Sequence, residues 1–124
     1  MMPAREPLDP VLVGPVDGIE RHDRGATVRL AGELDLFSVP IVRKALLELA
    51  AERPGRLVID LSAVEFIDST ALGALVEAKR QIESAGSRFL LAAPGSHVRR
   101  ALSISGLDRH LGITDSVEQA LEAE

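Results

Sequence analysis

An acid followed by two hydroxyls, Asp68-Ser69-Thr70, interrupts the apolar stretch VEFIDSTALGALVEAK that runs from Val64 to Lys79. Two kinds of chemistry suit such a triplet. A carboxylate or hydroxyl at the start of a helix accepts hydrogen bonds from first-turn amides that have no partner of their own. A hydroxyl in that place can also take a phosphate, because the same amides and the positive end of the helix dipole tolerate an anion. A phosphate on Ser69 would set roughly −1.5 to −2 charge beside Asp68 and so change what the surface can dock. The residue types leave both readings open: Asp68 or Ser69 is a helix cap, or Ser69 is a switch. Thr70 offers a second hydroxyl. Its β-branched side chain is restricted in rotamer and lies one residue further into the helix, so Ser69 is the favoured acceptor.

The remaining reactive groups do not assemble into motifs. His22, His97 and His110 are far apart and the chain has no cysteine, so nothing has the spacing of a metal site and the histidines read as solvated. Ser69 lacks the GxSxG setting of a hydrolase nucleophile, and no histidine stands where a base would. Gly14, Gly18, Gly25 and Gly32 form neither GxGxxG nor a phosphate-binding loop and read as turn residues. Arg99-Arg100 reads as a solvated pair on a helix face. The chain is expected to be no enzyme and to carry no cofactor, no metal and no small-molecule substrate.

Composition narrows the partners. The 124 residues are enough for one domain with one core, and 46% hydrophobic with 27% charged residues is the balance of a globule. No apolar run approaches the roughly 20 residues of a membrane-spanning helix. A net charge of −5, no Trp or Tyr and three Phe supply neither the basic footprint nor the stacking rings of a nucleic-acid binder. The opening MMPAREPLDP has prolines and acids where a secretory signal has an unbroken apolar segment, so a cytoplasmic home is expected.

The elements that must position the triplet follow from alternating periods. Residues 1–15 read as a loose amino-terminal arm and 16–124 as the domain. Two strand patterns flank Asp23-Arg24-Gly25, a hairpin signal. Ser38 can cap and Pro40 suits the first turn of a helix near 39–53, which carries Val42, Ala45, Leu46 and Leu49 on one face. Leu57 to Leu61 is short, apolar and β-branched, as a strand covered on both faces should be. A helix near 69–85 follows, closed by Gly86; then a strand at Phe89 to Ala92, a helix near 96–105, and a short strand at Ile113-Thr114. Asp115 with Glu118 resembles a capping pair for Val117 to Leu121. The class is α/β: a mixed sheet of four or five strands, mainly parallel, with an amino-terminal hairpin and helices packed against it.

VRLAGELDL, LVIDLSAV, FIDSTALG and HVRRALSISGLDRHLGITDSVEQAL, in that order, resemble the sulfate-transporter and anti-sigma-factor-antagonist (STAS) domain in its stand-alone antagonist form, over about Val16 to Leu121. The resemblance implies a STAS-like domain acting as an anti-sigma-factor antagonist. In that family the unphosphorylated form binds an anti-sigma factor that is itself a serine kinase and thereby releases the sigma factor. Carried onto this chain, the phosphorylated serine is Ser69, and the partner-binding residues are Asp35, Asp68, Ser69, Thr70, Leu72 and Gly73. The implied partners are the ATP-bound kinase, which brings its own magnesium, and a phosphatase acting on phosphorylated Ser69. Where the family often has glycine this chain has Ala71, a better helix former. Two alternatives from other classes are a STAS-like accessory subunit of a transporter ATPase and a scaffold subunit of a stress-signalling assembly.

Overall fold

Asp23-Arg24 closes a two-residue hairpin between β1 (Val16–His22) and β2 (Gly25–Leu34) in the computed structural model, which describes residues 14–123. Chain order then runs through α1 (Val39–Ala50), β3 (Arg56–Ile67), α2 (Ser69–Ser84), β4 (Arg88–Ala92), α3 (Ser96–Ile104), a 3-10 turn (Leu107–Arg109), β5 (Gly112–Thr114) and α4 (Val117–Glu122). Among the described residues the strands form one five-stranded sheet in the order β1-β2-β3-β4-β5. β1 is antiparallel to β2 and every later pair is parallel, the mixed sheet that the sequence predicts. Most of the expected arm lies outside the described residues. Pro15, at its end, is buried, and its carbonyl accepts from the Ala31 amide, which ties this turn to β2.

Sequential parallel strands joined by right-handed crossovers must carry their helices on one face. Accordingly α1, α2 and α3 share a single core with one face of β3 and β4, in which Leu46, Leu75 and Leu102 of the helices meet Ile59 and Leu91 of the strands. Among the described residues α4 alone covers the opposite face, where Ala120 packs on Val58, Leu90 and Ala92. Arg24 and Arg56 reach back to the carbonyls of Leu121 and Ala120 at the end of α4, at 3.4 and 2.6 Å, cations where the helix dipole is negative. On the other side of the sheet Arg21 grips Glu52 with two bonds of 2.8 Å, and holds that carboxyl below its ordinary value.

Three details depart from the sequence reading. The first helix stops at Ala50 rather than near 53, because Arg53 takes a left-handed backbone (φ 57°) before Pro54. Ser38 stands at the start of α1 but caps nothing with its side chain; its hydroxyl accepts from the Asp35 amide at 2.8 Å instead. The last helix is capped by Ser116, which accepts from Gln119 N–H at 3.0 Å while the Gln119 side chain accepts from Asp115 N–H at 3.0 Å. The reciprocal pair therefore sits one residue later than Asp115 and Glu118, since it is Ser116 that has the extended backbone a cap needs.

β3 is also longer than Leu57 to Leu61. It continues to Ile67 through two register shifts against β2, so that 12 residues of β3 run beside 10 of β2. At the first shift the buried Asp60 carboxylate accepts from Ser62 N–H at 2.9 Å, satisfying an amide beside the break in the ladder.

Two glycines test this packing in opposite directions. A methyl at Gly25 would overlap the Arg56 carbonyl where β2 meets β3, whereas a methyl at Gly73, on the outside of α2, would touch nothing within 4 Å. Gly25→Ala is expected to lose about 1–3 kcal/mol as an overpacked site. Gly73→Ala should gain about 0.5–1 kcal/mol as an exposed helix position relieved of glycine. The urea midpoints of the two variants, at unchanged slope, are the measurement.

Candidate functional site

The site begins where two neighbouring strands end. Leu34 pairs with Ile67 as the last residues of β2 and β3, and Asp68 N–H continues the ladder by donating to the Leu34 carbonyl at 3.0 Å. Asp35 and Asp68, 33 positions apart in the chain, thus leave the sheet side by side. α2 starts at once after Asp68, and α1 starts after the turn at residues 35–38. α3 begins beyond the same end of β4, so three helix amino termini share this rim of the sheet.

Asp68 is the cap. Its backbone is extended, and its carboxylate accepts from the Ala71 amide at 2.9 Å. Of the two cap candidates in the sequence, Ser69 is consequently the first helical residue and not the cap. That difference frees it. Ser69 and Thr70 are both exposed, and neither hydroxyl is engaged by another described residue. A phosphate on Ser69 could be accepted without breaking any bond of the fold, at the positive end of a 16-residue helix.

Asp35 has a structural duty as well. Its carboxylate accepts from the amides of Phe37 and Ser38 at 3.0 and 3.1 Å, and its carbonyl accepts from Val39 N–H at 3.0 Å. This bonding fixes the turn that leads into α1. Of the other expected partner-binding residues, Gly73 is exposed on α2, but Leu72 is only 8% exposed and belongs to the core. The helical period that places Gly73 outward turns Leu72 inward, so Leu72 supports the surface from beneath rather than forming it.

Sequence reasoning passed over the apolar part of this rim. Leu36 and Phe37 are 60% and 84% exposed in the turn after Asp35, and Phe66 is 41% exposed two residues before Asp68. Phe66 stacks on His97 at the start of α3, with ring centroids 5.7 Å apart. The single signal available was that Leu36 and Phe37 lie outside both the strand pattern and the helix pattern on either side of them. His22 is likewise not a free histidine: its Nε2 lies 3.1 Å from the hydroxyl of the buried Thr27. Among the described residues no group of three or more His, Cys, Asp or Glu could hold a metal, and no helix is long and apolar enough to cross a membrane. The rim sets exposed aromatic and aliphatic side chains beside carboxylates, with an unengaged hydroxyl among them.

Known proteins share this arrangement of strands and helices. A family model described as the STAS domain matches residues 18–120. The anti-sigma-F factor antagonist RsfB of Mycobacterium tuberculosis is 35% identical over 100 residues, 81% of this chain and 81% of that protein. The anti-sigma-B factor antagonist of Bacillus subtilis is 29% identical over 104 residues, 84% of this chain and 94% of that protein. The crystal structure of an anti-sigma factor antagonist from Mycobacterium paratuberculosis superposes with a TM-score of 0.77 at 33% identity, covering 85% of this chain and 89% of that one.

The division of labour between cap and hydroxyl is open to measurement. Asp68→Ala should cost about 1 kcal/mol, the usual effect of deleting a helix cap. Ser69→Ala, at an exposed and unengaged position, should stay within about 0.5 kcal/mol of the parent. Equal losses for both in chemical denaturation would show that Ser69 is a structural residue.

Proposed function

The chain belongs to the STAS domain family, and from that premise we propose that it is an anti-sigma-factor antagonist switched by phosphorylation of Ser69. The observation that carries the reading is the unengaged, exposed Ser69 hydroxyl one residue past the Asp68 cap. Unphosphorylated, the rim presents Leu36, Phe37, Asp35, Asp68, Thr70 and Gly73 to an anti-sigma factor that is a serine kinase, and docking there releases the sigma factor. The kinase brings ATP and magnesium. Ser69 Oγ attacks the γ-phosphorus, ADP leaves, and the hydroxyl proton passes to a base of the kinase. The ester adds charge next to Asp68 within an apolar contact surface, where repulsion and desolvation oppose redocking. A phosphatase restores the hydroxyl by hydrolysis. In this reading the chain acts in the cytoplasm, together with the sigma factor and the kinase.

The similarity of sequence and fold to proteins named anti-sigma factor antagonists from Mycobacterium and Bacillus supports this reading. So does the chemistry of the two hydroxyls. In-line phosphoryl transfer depends on positioning, and a misplacement of about 1 Å can cost about 100-fold in rate. Thr70, one residue further along α2 and β-branched, projects in a different direction from Ser69.

Incubation with the cognate kinase and ATP, followed by phosphopeptide mass spectrometry, is the test. Labelling should vanish in Ser69→Ala and persist in Thr70→Ala. Phosphate on Thr70 in the parent chain, or undiminished labelling of Ser69→Ala, would refute the assignment. Ser69→Asp should weaken kinase binding by imitating part of the phosphate charge. For Asp35 the informative change is to Asn, not Ala, because Asn keeps the oxygen that accepts from Phe37 and Ser38 while removing the charge. Asp35→Asn should weaken kinase binding by about tenfold in calorimetry with thermal stability nearly unchanged.

A further inference from the structure

The two faces of the sheet are covered unequally. On one side α1, α2 and α3, of 12, 16 and 9 residues, share the main core; on the other α4 has six residues, and Ala120 is its one buried side chain, with Val117, Leu121 and Ala123 only partly buried around it. A helix of that length has no stability of its own, since isolated helices shorter than about 12–15 residues are marginal in water. What holds α4 is therefore what it touches. Its apolar grip is small, because alanine buries little area, yet it shields Val58, Leu90 and Ala92, which are 0%, 3% and 0% exposed. At Val117 it borders an open groove of about 400 Å³ whose other walls belong to β1, β2 and β3.

Polar bonds hold the two ends of α4 differently. Before its first turn the chain is tied to the sheet: the Thr114 hydroxyl donates to the Leu91 carbonyl at 3.0 Å, and Ala93 N–H donates to the Thr114 carbonyl at 3.0 Å. The last turn is reached instead from the opposite end of the strands. Arg56, the first residue of β3, donates to the Ala120 carbonyl at 2.6 Å, and Arg24, in the hairpin turn, donates to the Leu121 carbonyl at 3.4 Å. Both guanidinium groups bind carbonyls at the negative end of the helix dipole. The start of α4 is thus a fixed hinge, and its end is fastened by two side chains.

We infer that α4 is a latch: it swings about residues 115–116 when the bonds of Arg56 and Arg24 let go, and it bares Val58, Leu90 and Ala92 while the sheet and the other three helices stay folded. No rung of the sheet has to break. β5 keeps its own pairing with β4, Leu90 to Ala92 against Gly112 to Thr114, whether α4 is docked or not. The opening therefore costs less than global unfolding, as it does for other elements with few buried apolar contacts. It occurs on the face opposite to α2 and leaves the Ser69 rim in place.

The chain has no cysteine, so a single introduced thiol reports the opening. Val58→Cys places one beneath α4, and Val28→Cys places one in the core shared with α1, α2 and α3; both positions are 0% exposed, and cysteine behaves there as a small hydrophobe. Against a soluble thiol reagent the Val58→Cys chain is expected to react at least about 100-fold faster than the Val28→Cys chain, and its rate should rise less steeply with urea because less surface is exposed in the opening. Adding Arg56→Gln should speed the Val58→Cys reaction about tenfold further, the loss expected for a hydrogen bond from a charged donor. Equal rates and equal urea slopes for the two thiols would show that α4 leaves only when the whole domain unfolds, and an unchanged rate with Arg56→Gln would show that this arginine fastens nothing; either result overturns the inference. Hydrogen exchange tests the parent chain without substitution: Ala120 N–H should exchange at least about 100-fold faster than the slowest amides of β3 and β4, and one common rate for all of them would refute the latch.

Discussion

The site depends on one parallel pairing, that of β2 with β3, and on the registration that ends it with Leu34 opposite Ile67. At the start of the pair Ala26 lies opposite Leu57. An uninterrupted ladder would then set Glu65 opposite Leu34 and turn a carboxylate toward the core. Two extra residues in β3 prevent this. Each reverses the alternation once, so that Leu61, Val64 and Ile67 all reach the core although three positions separate each from the next. The Asp60 carboxylate, buried and bonded to Ser62 N–H and to Arg29, helps to hold the first break in place. Only with this registration do Asp35 and Asp68 emerge together, and only then does Asp68 N–H find the Leu34 carbonyl.

The sheet's connectivity sets the electrostatics of the same rim. Because consecutive strands are spatial neighbours and the crossovers share a hand, α1, α2 and α3 lie on one face and start at one end. Their positive dipole ends are therefore gathered there, and the carboxylates of Asp35 and Asp68 sit where such ends favour them. Among the described residues the strand order has no reversal, the feature at which many open sheets form a ligand crevice. Leu36 and Phe37 stand out from the rim, and the bonds of Asp35 fix the turn that carries them.

At the start of α2 the tasks of stability and chemistry fall to different residues. Asp68 closes the helix and Ala71 N–H is its partner; Ser69 closes nothing. Were Ser69 the cap, a phosphate ester would have to replace a bond that the helix needs. With the carboxylate in that role, the hydroxyl can change its charge while the backbone below it keeps all its hydrogen bonds. In the switch proposed above, a phosphate on Ser69 would act on what docks at the rim and leave the domain folded.

The class, the order of elements and the helix start at Asp68-Ser69-Thr70 were legible in the sequence because each rests on local physics. The helical period of Leu72, Leu75 and Ile82, the β-branched run Leu57 to Leu61 and the turn at Asp23-Arg24 are short-range signals. Asp68-Ser69-Thr70 announced a helix start for the same reason, though which residue caps depended on a backbone angle that residue type does not set. Other features required the tertiary structure. The second half of β3 was invisible, since its two irregularities erase the period of two and are intelligible only beside β2. Leu36, Phe37 and Phe66 could not be told from core residues until the core was full without them. Burial is a property of what packs on a side chain, and pairing is a property of two segments that are distant in the chain; neither is written in the residues of one segment.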